Sequence, residues 1–430
     1  MIARLRTALG SAVAGSLASA VAIQGFVLIT GVLAARLLGP QDRGYLALIW
    51  TVTLVVSQLG TCGLPLAVTY EIAGRRATPR SLLRDLGPTV RLQIVGFTAL
   101  QALLTVGLVA VTATPALAAF IAIPVVPASL LQSYVFAGLQ GAQQFGQFNV
   151  LRPASVAVYA VGLVGLAAVG SPGLAAVSAA WVVGWIVSGA FCFSAGRRAI
   201  RVAISADDAV QSASPAEMRR FGLQGLFGWV SPTETLRIDQ LAVGLVLSAY
   251  DLGLYVAALA VTNLPRFLAQ AVGTVAYPRI AAAQTEDERR YLLWRYVALG
   301  SALSVGVSGV IFLAADPLVR LAFGDTFSSS VGPLRILLLA TVILCVRRVL
   351  AEAMRGAGYV GATSRAEAVS WISLVPTLPL GLIYDLDGVA IALCISYALG
   401  LYSLLRTLGS VPGRRPALLD ADPPPATGLR

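Results

Sequence analysis

Residues 11–35 read SAVAGSLASAVAIQGFVLITGVLAA, 25 consecutive positions without a charge. A helix rises about 1.5 Å per residue, so about 20 apolar residues suffice to cross the hydrocarbon core of a bilayer. Directly after this run comes LLGPQDRGYLAL (37–48), a short polar break that leads into a second long apolar stretch. The same alternation continues along the chain. Apolar windows fall near 11–37, 44–70, 90–112, 115–138, 150–169 and 173–195, and again near 221–248, 252–278, 291–314, 333–352, 366–384 and 388–408. These patterns predict an all-α integral membrane protein of about twelve transmembrane helices.

Composition agrees with that reading. Of 430 residues, 57% are hydrophobic and only 12% charged, against about 25% charged in a soluble domain; the mean hydropathy is +0.81. All 31 basic residues are Arg, with no Lys and no His. Without His the chain has no imidazole base, histidine metal ligand or histidine pH switch. Cys62, Cys192, Cys345 and Cys394 lie in apolar stretches without metal-type spacing, which points to reduced core residues. No cofactor or metal is implied. MIARLRTALG runs into a longer apolar region than a cleaved signal peptide has, so it reads as the approach to the first span.

Arg clusters fall at alternate connections: Arg4 and Arg6; Arg75, Arg76, Arg80 and Arg84; Arg197, Arg198, Arg201, Arg219 and Arg220; Arg279, Arg289 and Arg290; Arg355 and Arg365; Arg414 and Arg415. The opposite connections carry Asp42, Asp251, Asp316, Asp325, Asp385 and Asp387. Basic excess marks the cytoplasmic side, which puts both termini in the cytoplasm. The net charge of +11 thus reads as topology and contact with the lipid bilayer, with no nucleic acid as partner.

The expected domains are an N-terminal six-helix lobe (1–196), a cytoplasmic linker (197–220), a C-terminal six-helix lobe (221–408) and a disordered cytoplasmic tail (409–430). The halves resemble each other. LLGPQDRGYLAL (37–48) aligns with LSAYDLGLYVAA (247–258), matching Asp42 to Asp251 and Gly44 to Gly253 at an offset of 209. GLQGAQQFG (138–146) aligns with AMRGAGYVG (353–361) at an offset of 215. Each half has an even number of spans, so the lobes are expected to be related by a pseudo-twofold along the membrane normal.

RLLGPQDRGY (36–45) followed by GLPLAVTYEIA (63–73), AYDLGLYVAALAVTNLPRFLAQAVGTVAYPRIA (249–281) and AFGDTFSSSVGPLRIL (322–337) together resemble the polysaccharide-biosynthesis and O-antigen flippases. That family shares one exporter superfamily of twelve to fourteen helices with the multidrug extruders and lipid II flippases. The resemblance implies alternating access of two lobes in the bacterial cytoplasmic membrane, moving an undecaprenyl-pyrophosphate-linked oligosaccharide to the outer leaflet. It implies no enzymatic activity. It also implies a proton or sodium ion as candidate coupling ion, and a glycan polymerase and glycosyltransferases as candidate partners. The lipid II branch usually has two additional helices, for which this chain has no length.

An ionisable side chain at mid-membrane costs several kcal/mol and normally faces a water-filled cavity or a partner. Window 221–248 contains Glu234, Arg237 and Asp239 behind Pro232, whose missing donor and ring clash are expected to kink the helix just before the charges; window 252–278 contains Arg266 beside Pro265, which is expected to repeat the arrangement. Arg237 and Arg266 are candidate pyrophosphate ligands, because guanidinium forks match phosphate oxygens. The alternative is a neutral cluster in which Glu234 pairs with Arg237 three residues along one helix and Asp239 or Glu234 pairs with Arg266. Asp239 lies nearer the outer end and reads as structural. In the first lobe Gln24 and Gln58 occupy the mid-depth positions. Asn263, with Gln270, shares the Arg266 face and can reach sugar hydroxyls. Arg36 is a late phosphate contact or an interfacial anchor.

Two other functions fit the class. A cation-coupled multidrug exporter needs an acidic cavity, against which two mid-depth Arg residues argue; a lipid II flippase is the other. A membrane glycosyltransferase or polymerase needs a catalytic outer loop, and the longest outer run (315–332) has two Asp residues and no metal-binding constellation.

Overall fold

The computed structural model describes residues 2–74, 79–170, 172–203, 214–229 and 231–409. Among these residues every regular element is a helix: α1 (Ile2–Gly60), α2 (Leu64–Ala73), α3 (Pro79–Thr112), α4 (Ala116–Ile121), α5 (Val125–Gly141), α6 (Phe145–Leu151), α7 (Ala154–Val169), α8 (Leu174–Ala203), α9 (Pro215–Trp229), α10 (Ile238–Val246), α11 (Ala249–Ala281), α12 (Glu286–Leu313), α13 (Ala315–Phe323), α14 (Val331–Gly356), α15 (Val360–Ser373) and α16 (Thr377–Gly409), with one 3-10 turn at Asp325–Ser330. Helix occupies most of each expected apolar window, with turns inside several of them. Eight helical stretches are long and apolar enough to cross a membrane on length and composition alone.

Breaks in the helices follow from residue chemistry. α1 spans two windows and turns at Gly39 (φ 70°), followed by Pro40; glycine adopts that positive φ without a Cβ clash. α16 likewise spans two windows and breaks at Tyr384 and Asp385. Pro124, Pro153 and Pro376 sit in the short gaps between α4 and α5, α6 and α7, and α15 and α16, where a missing N–H donor costs least. Pro265 is different, because α11 continues through it.

The chain forms two compact units: Met1–Ala260 with Val319–Ser330, and Val261–Leu318 with Val331–Arg430. In the first unit Leu64, Ala67, Val68 and Ile72 of α2 pack with Leu82 and Leu86 of α3, Ala137 of α5 and Met218 of α9. In the second, Leu293, Tyr296 and Val297 of α12 pack with Val349, Leu350 and Ala353 of α14 and Leu404 of α16. Arg347 is buried there and donates to Glu367 Oε1 at 2.6 Å.

The repeat is visible in the backbone. In the first unit Gln144 N donates to Leu139 O at 2.8 Å, and Gln143 has φ 57°. In the second, Tyr359 N donates to Met354 O at 2.9 Å, and Gly358 has φ 90°. A Cβ on Gly141 would lie 2.7 Å from Ile72 Cβ and 2.9 Å from Thr69 O; on Gly356, 3.2 Å from Ile280 Cβ and 2.6 Å from Tyr277 O. Both helices therefore end in the same left-handed closure after the same close approach. The motif glycines at offset 209 meet each other inside the first unit. A Cβ on Gly44 would fall 1.6 Å from Ala249 O and 3.0 Å from Gly253 N, and one on Gly253 would fall 1.8 Å from Pro40 O.

The expected linker lies in part outside the described residues, and so does the expected tail from residue 410 onward. α9 begins with Ser214 and Glu217 capping each other: Ser214 N donates to Glu217 Oε2 at 2.8 Å and Glu217 N to Ser214 Oγ at 3.3 Å. This reciprocal pair satisfies two backbone donors at the helix start.

Candidate functional site

The window at 221–248 is not one helix. Between α9 and α10 the described residues 231–237 form turns: Thr235 N and Leu236 N both donate to Ser231 O at 3.1 Å, and Ile238 N donates to Pro232 O at 3.0 Å. Ser231 N in turn donates to Thr235 Oγ1 at 3.1 Å. The expectation that Glu234 and Arg237 lie three apart on a continuous helix is therefore corrected. Pro232 lacks an N–H, and Arg237 sits in the left-handed region (φ 49°, ψ 43°), where the helical ladder cannot continue. A non-glycine residue there costs about 1–2 kcal/mol. Pro265, expected to repeat this break beside Arg266, does not.

The strained arginine lines a cavity of about 370 Å³ within the first unit. Its wall takes Leu54, Ser57 and Gln58 from α1; Ser129, Gln132, Ser133 and Phe136 from α5; Trp185 from α8; and Glu234, Thr235 and Arg237 from the turn. The spacing of 54, 57 and 58 puts three residues on one helix face, and 129, 132, 133 and 136 do the same on α5. Gln132 Nε2 donates to Ser188 Oγ at 2.7 Å, which ties the α5 face to α8. Ser133 Oγ donates back to Ser129 O at 2.9 Å. Arg237 is half-buried and Glu234 exposed. The cavity thus offers one guanidinium, one carboxylate, carboxamides, hydroxyls and an indole.

Asp239 is buried and accepts a hydrogen bond from Tyr255 Oη at 2.7 Å, so it ties α10 to α11. Thr51 Oγ1 adds a bond to Gln240 Oε1 at 3.1 Å. Gln58 joins Arg237, Glu234 and Thr235 in the cavity wall, while Gln24 is half-buried on α1 and does not line it. Arg36 is exposed, with Nε donating to Ala322 O at 2.8 Å and Nη2 to Leu321 O. Its guanidinium caps the carbonyl end of α13, where a cation is favoured. Arg266 and Asn263 lie on α11 in the second unit; Arg266 Nε is buried without a hydrogen bond among the described residues.

Sequence reasoning missed Ser129, Gln132, Ser133 and Trp185, which carry no charge and read as ordinary polar or aromatic residues of apolar helices. It also missed Arg43, which is 6% exposed and sits 5.5 Å from the centroid of the Trp50 ring. Its charge lies within electrostatic reach of Arg237. Standing beside Asp42, it looked like one charge of a polar connection.

Residues 32–332 match the family described as "Polysaccharide biosynthesis protein". No curated protein matches the chain. Among solved structures, the chain is similar to the lipid II flippase MurJ in an inward closed conformation (TM-score 0.69, 14% identity, 92% of this chain and 88% of that one). It is similar to the MATE multidrug transporter DinF-BH in complex with R6G (0.66, 14%, 93% and 94%). A third likeness is to an inward-facing multidrug resistance MATE family transporter of the MOP superfamily (0.64, 15%, 90% and 95%). Similarity at these identities speaks to the fold. The chain is a multi-pass membrane protein with the fold of these transporters, and it belongs to the polysaccharide biosynthesis protein family.

Proposed function

We propose that this protein is an alternating-access flippase that moves an undecaprenyl-pyrophosphate-linked oligosaccharide across the bacterial cytoplasmic membrane, with both termini cytoplasmic. The observation that carries the reading is the first-unit cavity. A guanidinium on strained backbone shares it with Gln58, Gln132, three serines and Trp185. Guanidinium matches phosphate oxygens, carboxamides and hydroxyls match sugar hydroxyls, and an indole supplies a flat apolar face. Strain at Arg237 is the kind held at sites of function. Arg266 on α11 is proposed as a further phosphate contact. The family match and the similarity to MurJ support a lipid-linked substrate.

The test is inversion in proteoliposomes containing polyprenyl-pyrophosphate oligosaccharide, lipid II or a cationic dye. The oligosaccharide is expected to invert fastest. Preferential movement of lipid II would reassign the substrate, and dye export without lipid inversion would overturn the reading. Glu234 in the cavity wall is the observation that favours a cation-coupled exporter as second reading.

A further inference from the structure

Arg43 is buried, and its Nε and Nη1 make no hydrogen bond among the described residues. Around it stand Trp50, whose ring centroid lies 5.1 Å from that of Trp181 and 5.5 Å from that of Tyr159. Trp50 Nε1 and Tyr159 Oη are also buried without a hydrogen bond among the described residues. Guanidinium and indole only donate, and phenol donates readily. Polar groups without a hydrogen bond among the described residues therefore collect around a cation that burial alone would not favour. The chemistry that completes such a set is an oxyanion, phosphate or carboxylate, which accepts several bonds at once.

Position along the helix connects this cluster to the cavity. Arg43, Trp50, Leu54 and Ser57 follow spacings of seven, four and three, so they share one face of α1. Leu54 and Ser57 line the cavity, and Arg43 stands about 16 Å from Leu54 at helical rise. Walking from Ser57 towards Gly39 passes hydroxyl, apolar side chain, indole and then guanidinium. We propose that Arg43, backed by Trp50, Tyr159 and Trp181, is a second oxyanion station on the substrate's path, reached along this face after the Arg237 cavity. It receives the diphosphate of the lipid-linked glycan or a carboxylate on its sugars. The inference rests on the flippase reading. In the described conformation the Arg43 guanidinium lies 5.5 Å from the Trp50 ring centroid, so loading requires that contact to open.

The experiment measures inversion in proteoliposomes of two polyprenyl-pyrophosphate glycans, one neutral and one bearing a uronic acid. Wild type, Arg43→Gln, Arg43→Lys and Arg237→Gln are compared, with the Tm of each. Arg43→Gln is expected to lower the rate about tenfold or more while Tm stays level or rises, because an unmatched buried charge has been removed. Loss on both glycans assigns the diphosphate; loss on the acidic glycan alone assigns the carboxylate. Wild-type rates for Arg43→Gln on both glycans would overturn the proposal, as would a loss tracking a fall in Tm, which marks a structural cation–π contact. A second measurement does not depend on that variant folding. Inorganic pyrophosphate and galacturonate are titrated against intrinsic tryptophan fluorescence of the wild type and Trp50→Phe. A saturable change in the wild type that Trp50→Phe lacks supports the station, and no such change with either anion overturns it. If no protein inverts either glycan, the flippase reading fails, and the fluorescence arm still decides the oxyanion station.

Discussion

The helical segment after Gly39 and the start of α11 carry the same motif 209 positions apart, yet they use it differently. Both place an Asp two residues before a Gly, and those glycines, Gly44 and Gly253, sit where two backbones cross with no space for a Cβ. Beyond the crossing the residues diverge. Where the first segment has Arg43, the second has Leu252; where the first has Ser57, the second has Arg266. Each stretch thus carries an arginine with buried guanidinium nitrogen that has no hydrogen bond among the described residues, at opposite ends of equivalent stretches. The comparison separates two roles: glycine sets the backbone crossing in both copies, whereas charge was placed once per copy, where each needs it. Their starts differ too, since Gly39 turns the first, while Ser248 caps the second by accepting from Asp251 N at 3.1 Å.

The crossing is the harshest place to break this comparison. Gly44→Val and Gly253→Val would each drive a side chain into a carbonyl, at about 3 kcal/mol or more, so little folded protein should be recovered by fluorescence-detected size exclusion. Gly25→Ala, with nothing within 4 Å of the added Cβ, should behave as wild type. Normal recovery of Gly44→Val would remove the crossing from the account. The divergent charge comes next: Arg266→Ala should abolish oligosaccharide inversion with normal protein level, and Arg266→Lys should restore only part, since ammonium cannot form the bidentate fork. Wild-type inversion by the alanine variant would end the phosphate role at that position.

A milder pair sharpens the repeat. Gly141→Ala and Gly356→Ala meet equivalent walls in their separate units, so each should lower stability by about 1–3 kcal/mol. Unequal losses, with one variant neutral, would show that the two closures are not equivalent. The smallest effect is at the start of α9, where hydrogen bonds from Ser214 hold the Glu217 carboxyl below its ordinary 4.5. A depressed carboxylate stabilises above its unfolded pKa and loses that contribution as pH falls through the lower folded value. The protection of amides in the first turn of α9, taken relative to the intrinsic exchange rate at each pH, should therefore hold at pH 6 and fall below about pH 4, whereas Glu217→Gln should lack that step. A pH step that survives in Glu217→Gln would assign it elsewhere.

Much of the fold could be read directly because a bilayer disfavours charge: the twelve windows are runs poor in Asp, Glu and Arg, and the charges that do fall inside them, such as Glu234, Arg237 and Arg266, stand out for that reason. The repeat was readable for a similar reason, since glycines demanded by backbone contact leave the same mark twice. At Pro232 a kink was readable, but not that the helix stops altogether before it. Pro232 and Pro265 look alike in sequence, yet one lies in a run of turns and the other inside a continuous helix, and the difference lies in the Arg237 backbone and the bonds around Ser231. Within the cavity, Glu234, Arg237 and Gln58 drew attention because polar groups are costly at that depth. Ser129, Gln132, Ser133 and Trp185 did not, because hydroxyls, amides and indoles fit an apolar helix by bonding locally or packing, as Ser133 does to Ser129 O.

The central claim is that Arg237 meets substrate phosphate, and the most direct test is a double-mutant cycle with Glu234 in the reconstituted inversion assay. If the two charges serve only to offset each other, each single variant leaves one unbalanced and removing both restores function. The account predicts that Arg237→Gln is inactive, that Glu234→Gln is impaired, and that the double variant is as inactive as Arg237→Gln. Recovery of the double variant to near wild-type inversion would contradict it and withdraw Arg237 as a substrate contact.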